Sequence, residues 1–214
     1  MRLQPRGTAG FHPDRRPPLR RRDRAAPRAR LRARHRLASP PSRSRALEAV
    51  IDAYRAIVDK RDQRVYLPKP IPPDALRRIL QAGRMTGSSK NREPNRLIVV
   101  SERESVRALG ALSEWGKWLA HAAVVIVIAQ VEPHEFDAGR CAQNMMLAAW
   151  ADGIGSCPAH LPEADVARRL GIPADVHVNR VIGFGYVDPA RAAAPKAVAR
   201  RRKPLEELIH RERW

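Results

Sequence analysis

Aromatic residues make up only 5% of this 214-residue chain, so a packed core must rest on Ala, Val, Ile and Leu rather than on rings. Cysteine is almost absent. Cys141 and Cys157 stand alone, with no C-x-x-C and no zinc-type His spacing, which excludes a disulfide scaffold and fits a reducing, cytoplasmic setting. Long apolar runs are missing as well: Ala122–Ala129, the longest, falls well short of the roughly 20 residues that cross a bilayer, so a soluble protein is expected. Acidic residues are scarce, 22 Asp+Glu against 41 Lys+Arg, for a formal net charge of +19.

That excess is uneven. Residues 1–45 hold 15 Arg, no Lys and only Asp14 and Asp23, a net of +13, and leave +6 for the remainder. The same stretch has seven prolines and no Val, Ile, Trp or Tyr, too little apolar surface to offset the entropy of ordering. It is read as a disordered extension. Clusters such as Arg20-Arg21-Arg22 would release counterions from phosphate, so a non-enzymatic nucleic-acid-binding protein acting through this arm is one alternative. A twin-arginine or secretory signal would need an apolar stretch after Arg15-Arg16, where Pro17-Pro18 stand instead, and the prolines would interrupt the helix of a transit peptide. Arg without Lys, with Pro and Ala, is what GC-rich DNA encodes ahead of a true start, so a non-functional extension is expected.

The folded domain is expected over residues 46–214. Leu47, Val50, Ile51, Tyr54, Ile57 and Val58 recur at helical spacing and predict an amphipathic helix ending near Lys60. Pro70-Ile-Pro-Pro-Asp74 opens a second helix that Gly83 or Gly87 stops; a polar loop, Thr86–Asn91, then leads to a strand, Leu97–Val100. Ser101 and Glu104 have capping-box spacing ahead of a helix to Leu112, and Trp115 and Trp118 share one helical face. The run Ala123–Val131, apolar but for Gln130, predicts a central strand covered on both faces. Phe136–Asp152 is a long helix apolar on more than one face, which calls for more than one partner. A break at Gly153-Ile-Gly155, a helix Pro162–Leu170, a strand Val181–Val187 and a short helix from Pro204 complete the chain. Helices and strands mix without βαβ alternation, so the fold class is α+β, a helix-flanked mixed sheet.

Gly153-Ile-Gly155 and Gly183-Phe-Gly185 both lack the third glycine of a dinucleotide fingerprint, where Pro158 and Asp188 stand. No phosphate-loop, nucleophile-elbow or H-E-x-x-H motif is present, and no metal ligands are assigned. What remains is three separated groups: Lys60-Arg61-Asp62-Gln63-Arg64, Ser88-Ser89-Lys90-Asn91, and Arg200-Arg201-Arg202-Lys203-Pro204. Each alone reads as a solvated helix end.

Their order and spacing are informative. Lys60-Arg61-x-x-Arg64-x-Tyr66, then Pro70-Ile-Pro-x-Asp74, then Ser88-Ser89-x-Asn91-x-x-Pro94, followed by the 139–149 helix, Gly153-Ile-Gly-Ser, Val181–Val187 and Arg202-Lys-Pro-Leu-Glu-Glu207, together resemble the nitroreductase family over about residues 46–214. The resemblance implies an FMN-binding fold whose subunits intertwine as a homodimer with a flavin in each interface site. It places Lys60, Arg61, Arg64 and Arg202, with Arg200 a candidate, at the FMN phosphate, where charge-assisted donors suit a dianion. Ser88, Ser89 and Asn91 would reach the flavin of the other subunit, and Pro158, Ala159, His160 and Leu161 would lie beside its ring. His160 by itself reads as a packed or surface histidine, and no catalytic acid or base is assigned. The implied activity is ping-pong hydride transfer from NAD(P)H through FMN to an electron-poor acceptor such as a nitroaromatic, quinone or enone. Asp62 departs from the family's usual Ser at the phosphate and needs pairing with Arg61 or Arg64; flavin-cleaving dimethylbenzimidazole synthases carry Asp there, which makes such an enzyme the alternative. Glu93 and Asn95 also depart from the family pattern, and the segment between Val100 and Ala123 is short for an active-site cover.

Overall fold

Seven consecutive buried residues, Val124–Gln130, form the central strand of a four-stranded sheet. The structure is a computed structural model and describes residues 53–191 and 202–214; the expectations for the 1–45 arm, for the helix before Ala53 and for Arg200 fall outside the described residues. In chain order the elements are α1 (Ala53–Asp59), α2 (Pro73–Arg84), β1 (Asn95–Val100), α3 (Arg103–Gly110), β2 (Val124–Gln130), α4 (Glu135–Ala151), β3 (Ile154–Ala159), α5 (Glu163–Leu170) and β4 (His177–Tyr186). Short 3-10 turns occupy Ser89–Asn91, Glu114–His121 and Leu205–Glu207.

The strand order is β1-β2-β4-β3, with every ladder antiparallel. One isolated parallel bridge, Asp62 to Ser156, lays the segment after α1 along the outer edge of β3, so the sheet itself is antiparallel and not mixed in its strands. Alternation along β2 divides the core. Val124, Ile126 and Ile128 face α2 and α4 with Ile79, Met145 and Phe184, while Val125 and Val127 face α3 and α5 with Val106, Leu109, Leu119 and Val166. The α+β, helix-flanked expectation therefore holds, and the run that looked covered on both faces is the buried centre.

Several local expectations change. Gly153-Ile-Gly155 is not simply a break: Gly153 turns the chain at φ 71° and Ile154 at once begins β3. Small residues and Pro158 hid this strand, which tolerates proline because it is an edge of the four-stranded ladder. β4 begins four residues before Val181, because His177–Arg180 pair with β2 on one side only, so half of them meet water and carry polar side chains. α3 starts at Arg103 behind Glu102, and Ser101 forms no capping box. Gly83 does not stop α2; it lies inside the helix, where an added Cβ would come 2.9 Å from Met145 Cγ, so it permits close packing on α4. In α1 only Ala56 is buried, and the stripe expected to face a core is outside, with Tyr54 and Ile57 more than half exposed. Phe136, on the outer face of α4, is exposed as well.

Candidate functional site

The segment leaving α1 is pinned at Tyr66. Its hydroxyl donates to the carbonyls of Gln63 (2.5 Å) and Gly183 (3.2 Å), its ring packs 6.2 Å from Trp118, and Leu67 N–H donates to Tyr186 O at 2.8 Å. Burial pushes the phenol pKa far up, so the hydroxyl stays a donor. Gln63 N–H donates to Ser156 O at 3.0 Å, which fixes the middle of the segment against β3. Glycines make this approach feasible. A Cβ on Gly155 would lie 2.6 Å from Val187 Cγ2 and 3.0 Å from Gln63 Cβ, and one on Gly185 would lie 2.7 Å from Tyr66 Cγ.

Lys60 is the most enclosed cation of this segment: its side chain is 7% exposed, and its ammonium donates to Asp62 Oδ1 at 2.5 Å and lies 3.6 Å from Met146 Sδ on α4. The partner of Asp62 is thus Lys60, not Arg61 or Arg64 as the sequence reading required. Arg61 is turned back on α1 and spends its guanidinium on the carbonyls of Val58 (2.6 Å) and Lys60 (2.9 Å). Arg64 donates Nε–H to Cys157 Sγ at 3.2 Å and lies 5.8 Å above the Trp118 ring. That hydrogen bond is the main reason the Arg64 pKa is raised, while burial, opposed by Arg64, pushes the Cys157 thiol up. Ser156, the residue bridged to Asp62, has a buried hydroxyl with no partner among the described residues, so donor capacity beside the Lys60–Asp62 pair is unspent there. An enclosed ammonium, a guanidinium and an unspent hydroxyl fit an anionic group; the Asp62 carboxylate subtracts from that fit.

The second group sits elsewhere. Ser88 Oγ accepts from Glu93 N–H (2.9 Å), Ser88 O from Asn91 N–H (3.0 Å), and Ser89 N–H donates to Asp137 Oδ2 on α4 at 3.2 Å. Lys90, Asn91 and Glu93 take φ of 51°, 53° and 51°, left-handed backbone that costs a non-glycine residue about 1 kcal/mol each. A cavity of about 250 Å³ lies here, lined by Thr86, Ser88, Pro94, Asn95 and Cys141 among others, below the ~300 Å³ where small-molecule sites begin.

The two groups do not meet within one chain. Lys60 touches α4 at Met146 and Ser89 touches it at Asp137, nine residues earlier and so ~13 Å apart along the helix axis. Of the residues expected beside the flavin ring, Pro158 and Ala159 end β3 half-buried, His160 is exposed, and Leu161 is a core residue whose Cδ2 leaves no room for a side chain at Gly116. Arg202 is exposed and makes no hydrogen bond or ion pair among the described residues. Sequence reasoning missed Cys157, Trp118 and Asp137, each of which bears on a candidate residue through a contact that no spacing along the chain announces. Among the described residues no group of His, Cys, Asp or Glu is placed to hold a metal ion, and no helix is long and apolar enough to cross a membrane.

Comparison with known proteins agrees with this architecture. A protein of Archaeoglobus fulgidus, provisionally named NADH dehydrogenase/NAD(P)H nitroreductase, is 28% identical over 176 residues, covering 76% of this chain and 99% of that one. A crystal structure from Bacteroides thetaiotaomicron under the same provisional name is 25% identical, with a TM-score of 0.66 over 75% of this chain and 97% of its own. An FMN-dependent nitroreductase of Clostridium difficile R20291 is 22% identical and has the same fold, with a TM-score of 0.66 over 75% of this chain and 99% of its own. The profile of the nitroreductase family itself matches residues 57–116 and 113–186, more than half of the sequence and nearly every element of the sheet and its flanking helices. The chain belongs to the nitroreductase family.

Proposed function

We propose that the protein is a homodimeric, FMN-dependent oxidoreductase that uses NAD(P)H to reduce an electron-poor acceptor such as a nitroaromatic, quinone or enone. The observation that carries this reading is the enclosed Lys60 ammonium with Arg64 on the same segment, which Tyr66 holds to the sheet. When bound, FMN supplies hydride transfer in two half-reactions, one with NAD(P)H and one with the acceptor. Lys60, Arg64 and Arg202, with Arg61 and Arg200 as further members of the basic motifs, would hold the phosphate side. Ser88, Ser89 and Asn91 would serve the site of the second subunit, and Pro158–Leu161 would line the ring. Two features support a second copy: the ~13 Å along α4 that parts the two groups within one chain, and the solvent exposure of Ile57 and Val58 on α1. The enzyme would work in the cytoplasm, and the folded domain would begin near residue 46. An absorption spectrum of the purified protein tests the reading: a flavin band that bleaches anaerobically with NADPH or NADH is expected. A protein that stays colourless after incubation with FMN would refute it.

Asp62 makes a separate expectation. Its carboxylate engages Lys60 and opposes a phosphate, so Asp62→Ser should tighten FMN binding up to about tenfold, or ~1.4 kcal/mol. Fluorescence titration of the apoprotein checks this, and equal or weaker binding would contradict it. The same residue favours a second reading, in which reduced flavin is the substrate and is cleaved. Chromatography of flavin after aerobic turnover separates the two, since the oxidoreductase returns it intact.

A further inference from the structure

We propose that Asp137 is a positioning residue for the flavin site: it holds the Ser88–Asn91 loop in the shape in which that loop meets the cofactor. This rests on the FMN reading above. Asp137 is the third residue of α4 and is 4% exposed, a carboxylate enclosed at a helix end. One oxygen accepts from Ser89 N–H at 3.2 Å; the other faces Arg140 at 3.8 Å, and Arg140 donates in turn to Gly87 O at 3.0 Å. A single i,i+3 pair on α4 thus grips the loop on both sides of Ser88. The loop's remaining hydrogen bonds at Gly87–Asn91 are internal: Asn91 N–H to Ser88 O, Arg92 N–H to Ser89 O, and Glu93 N–H to Ser88 Oγ. Every hydrogen bond from Gly87–Asn91 to another element, among the described residues, runs to this pair.

The loop needs such a grip. Lys90 and Asn91 follow the anchored Ser89 directly, and both are in left-handed backbone, where a released chain of non-glycine residues would not stay. Its far end is tied to the same helix start by Gln130, fully buried, which donates to Asn95 Oδ1 (2.8 Å) and to His134 O (3.0 Å). The helix that meets Lys60 at Met146 therefore also sets the Ser88–Asn91 loop at its other end, so that one rigid element spaces the halves of two sites.

The test is FMN affinity of the apoprotein in the full-length dimer. Asp137→Ala should lower it at least tenfold per folded chain, while Asp137→Asn, which keeps an acceptor for Ser89 N–H, should recover most of it. Ser89→Pro removes the donor instead; Ser88 at φ −131° and ψ 157° already has the backbone that precedes proline. It should cause a similar loss, with no further loss in the double variant. Complementation adds a readout that mere helix stability would not move. A mixed dimer of one Asp137→Ala chain and one Lys60→Glu chain carries one site with both defects and one with neither, so it should bind a single FMN at wild-type affinity. Asp137→Ala binding FMN like wild type, losing it only in proportion to unfolded protein, or failing to restore a site in the mixed dimer would overturn the assignment. Failure of the wild type itself to bind FMN would instead overturn the functional reading, and this proposal with it.

Discussion

Lys60→Glu is expected to leave a folded protein that no longer retains flavin. Lys60 supplies the least exposed positive charge of the first motif, and its ammonium is what balances Asp62. Reversal places two carboxylates where one ion pair stood. Unit charges about 4 Å apart in surroundings of effective dielectric ~20 repel by roughly 4 kcal/mol before salt screening, and a bound phosphate would add to the repulsion. A loss of at least 100-fold in FMN affinity, about 2.7 kcal/mol, follows. The fold should survive because the segment is pinned by Tyr66 and by backbone bonds to β3 and β4, none of which involves the Lys60 side chain. Fluorescence titration with FMN beside a thermal melt reads both quantities. An affinity within threefold of wild type would show that the phosphate is held elsewhere. Lys60→Gln, which removes the charge without reversing it, should fall between the two.

The largest effect on stability is expected at Gly185. Its Cα faces the Tyr66 ring so closely that even a Cβ would lie 2.7 to 2.9 Å from three of its side-chain atoms, under van der Waals contact. Gly185→Val adds two further carbons to that overlap in a strand paired on both sides, so the backbone has little room to retreat. Tyr66 is 3% exposed and carries two hydrogen bonds to main-chain carbonyls, so it must be expelled or the strand must shift. Overpacking of this kind costs about 1–3 kcal/mol, and expulsion of Tyr66 brings the total to the upper end or beyond. Chemical denaturation should show that loss, and flavin binding should weaken with it because Tyr66 anchors the Lys60–Arg64 segment. Gly139→Ala is the internal control: nothing lies within 4 Å of its Cβ position and it sits in a helix, so it should be neutral or slightly stabilising. Equal melting of Gly185→Val and wild type would mean that Tyr66 does not occupy this place.

The contrast between these two glycines shows where sequence reading stops. Gly183-Phe-Gly185 lies inside β4 and is no nucleotide fingerprint, yet nothing in the three letters says why glycine is needed. The reason lies far away in the sequence, in Tyr66 against Gly185 and Trp118 against Gly183. Apolar runs and helical periodicity are legible because they answer to local rules: β2 announces itself by six successive apolar residues ahead of Gln130, and α2, α4 and α5 by their spacing. β3 was not legible, because an edge strand of Gly, Ser, Cys and Pro has no alternation to detect. The α1 stripe was legible as apolar, but periodicity cannot tell a face turned to the core from one left uncovered.

Sequence by itself determined which basic and hydroxyl residues are candidates: three motifs in an order that resembles one family, with Asp62 as the departure. Tertiary structure decided what each candidate touches. Pairing of Asp62 with Lys60, loss of Arg61 to the end of α1, seating of Arg64 between Cys157 and Trp118, and capture of Ser89 by Asp137 are all contacts across elements. Charge along a chain is additive and can be counted from letters; which charges neutralise one another depends on distances of a few ångströms that only packing sets.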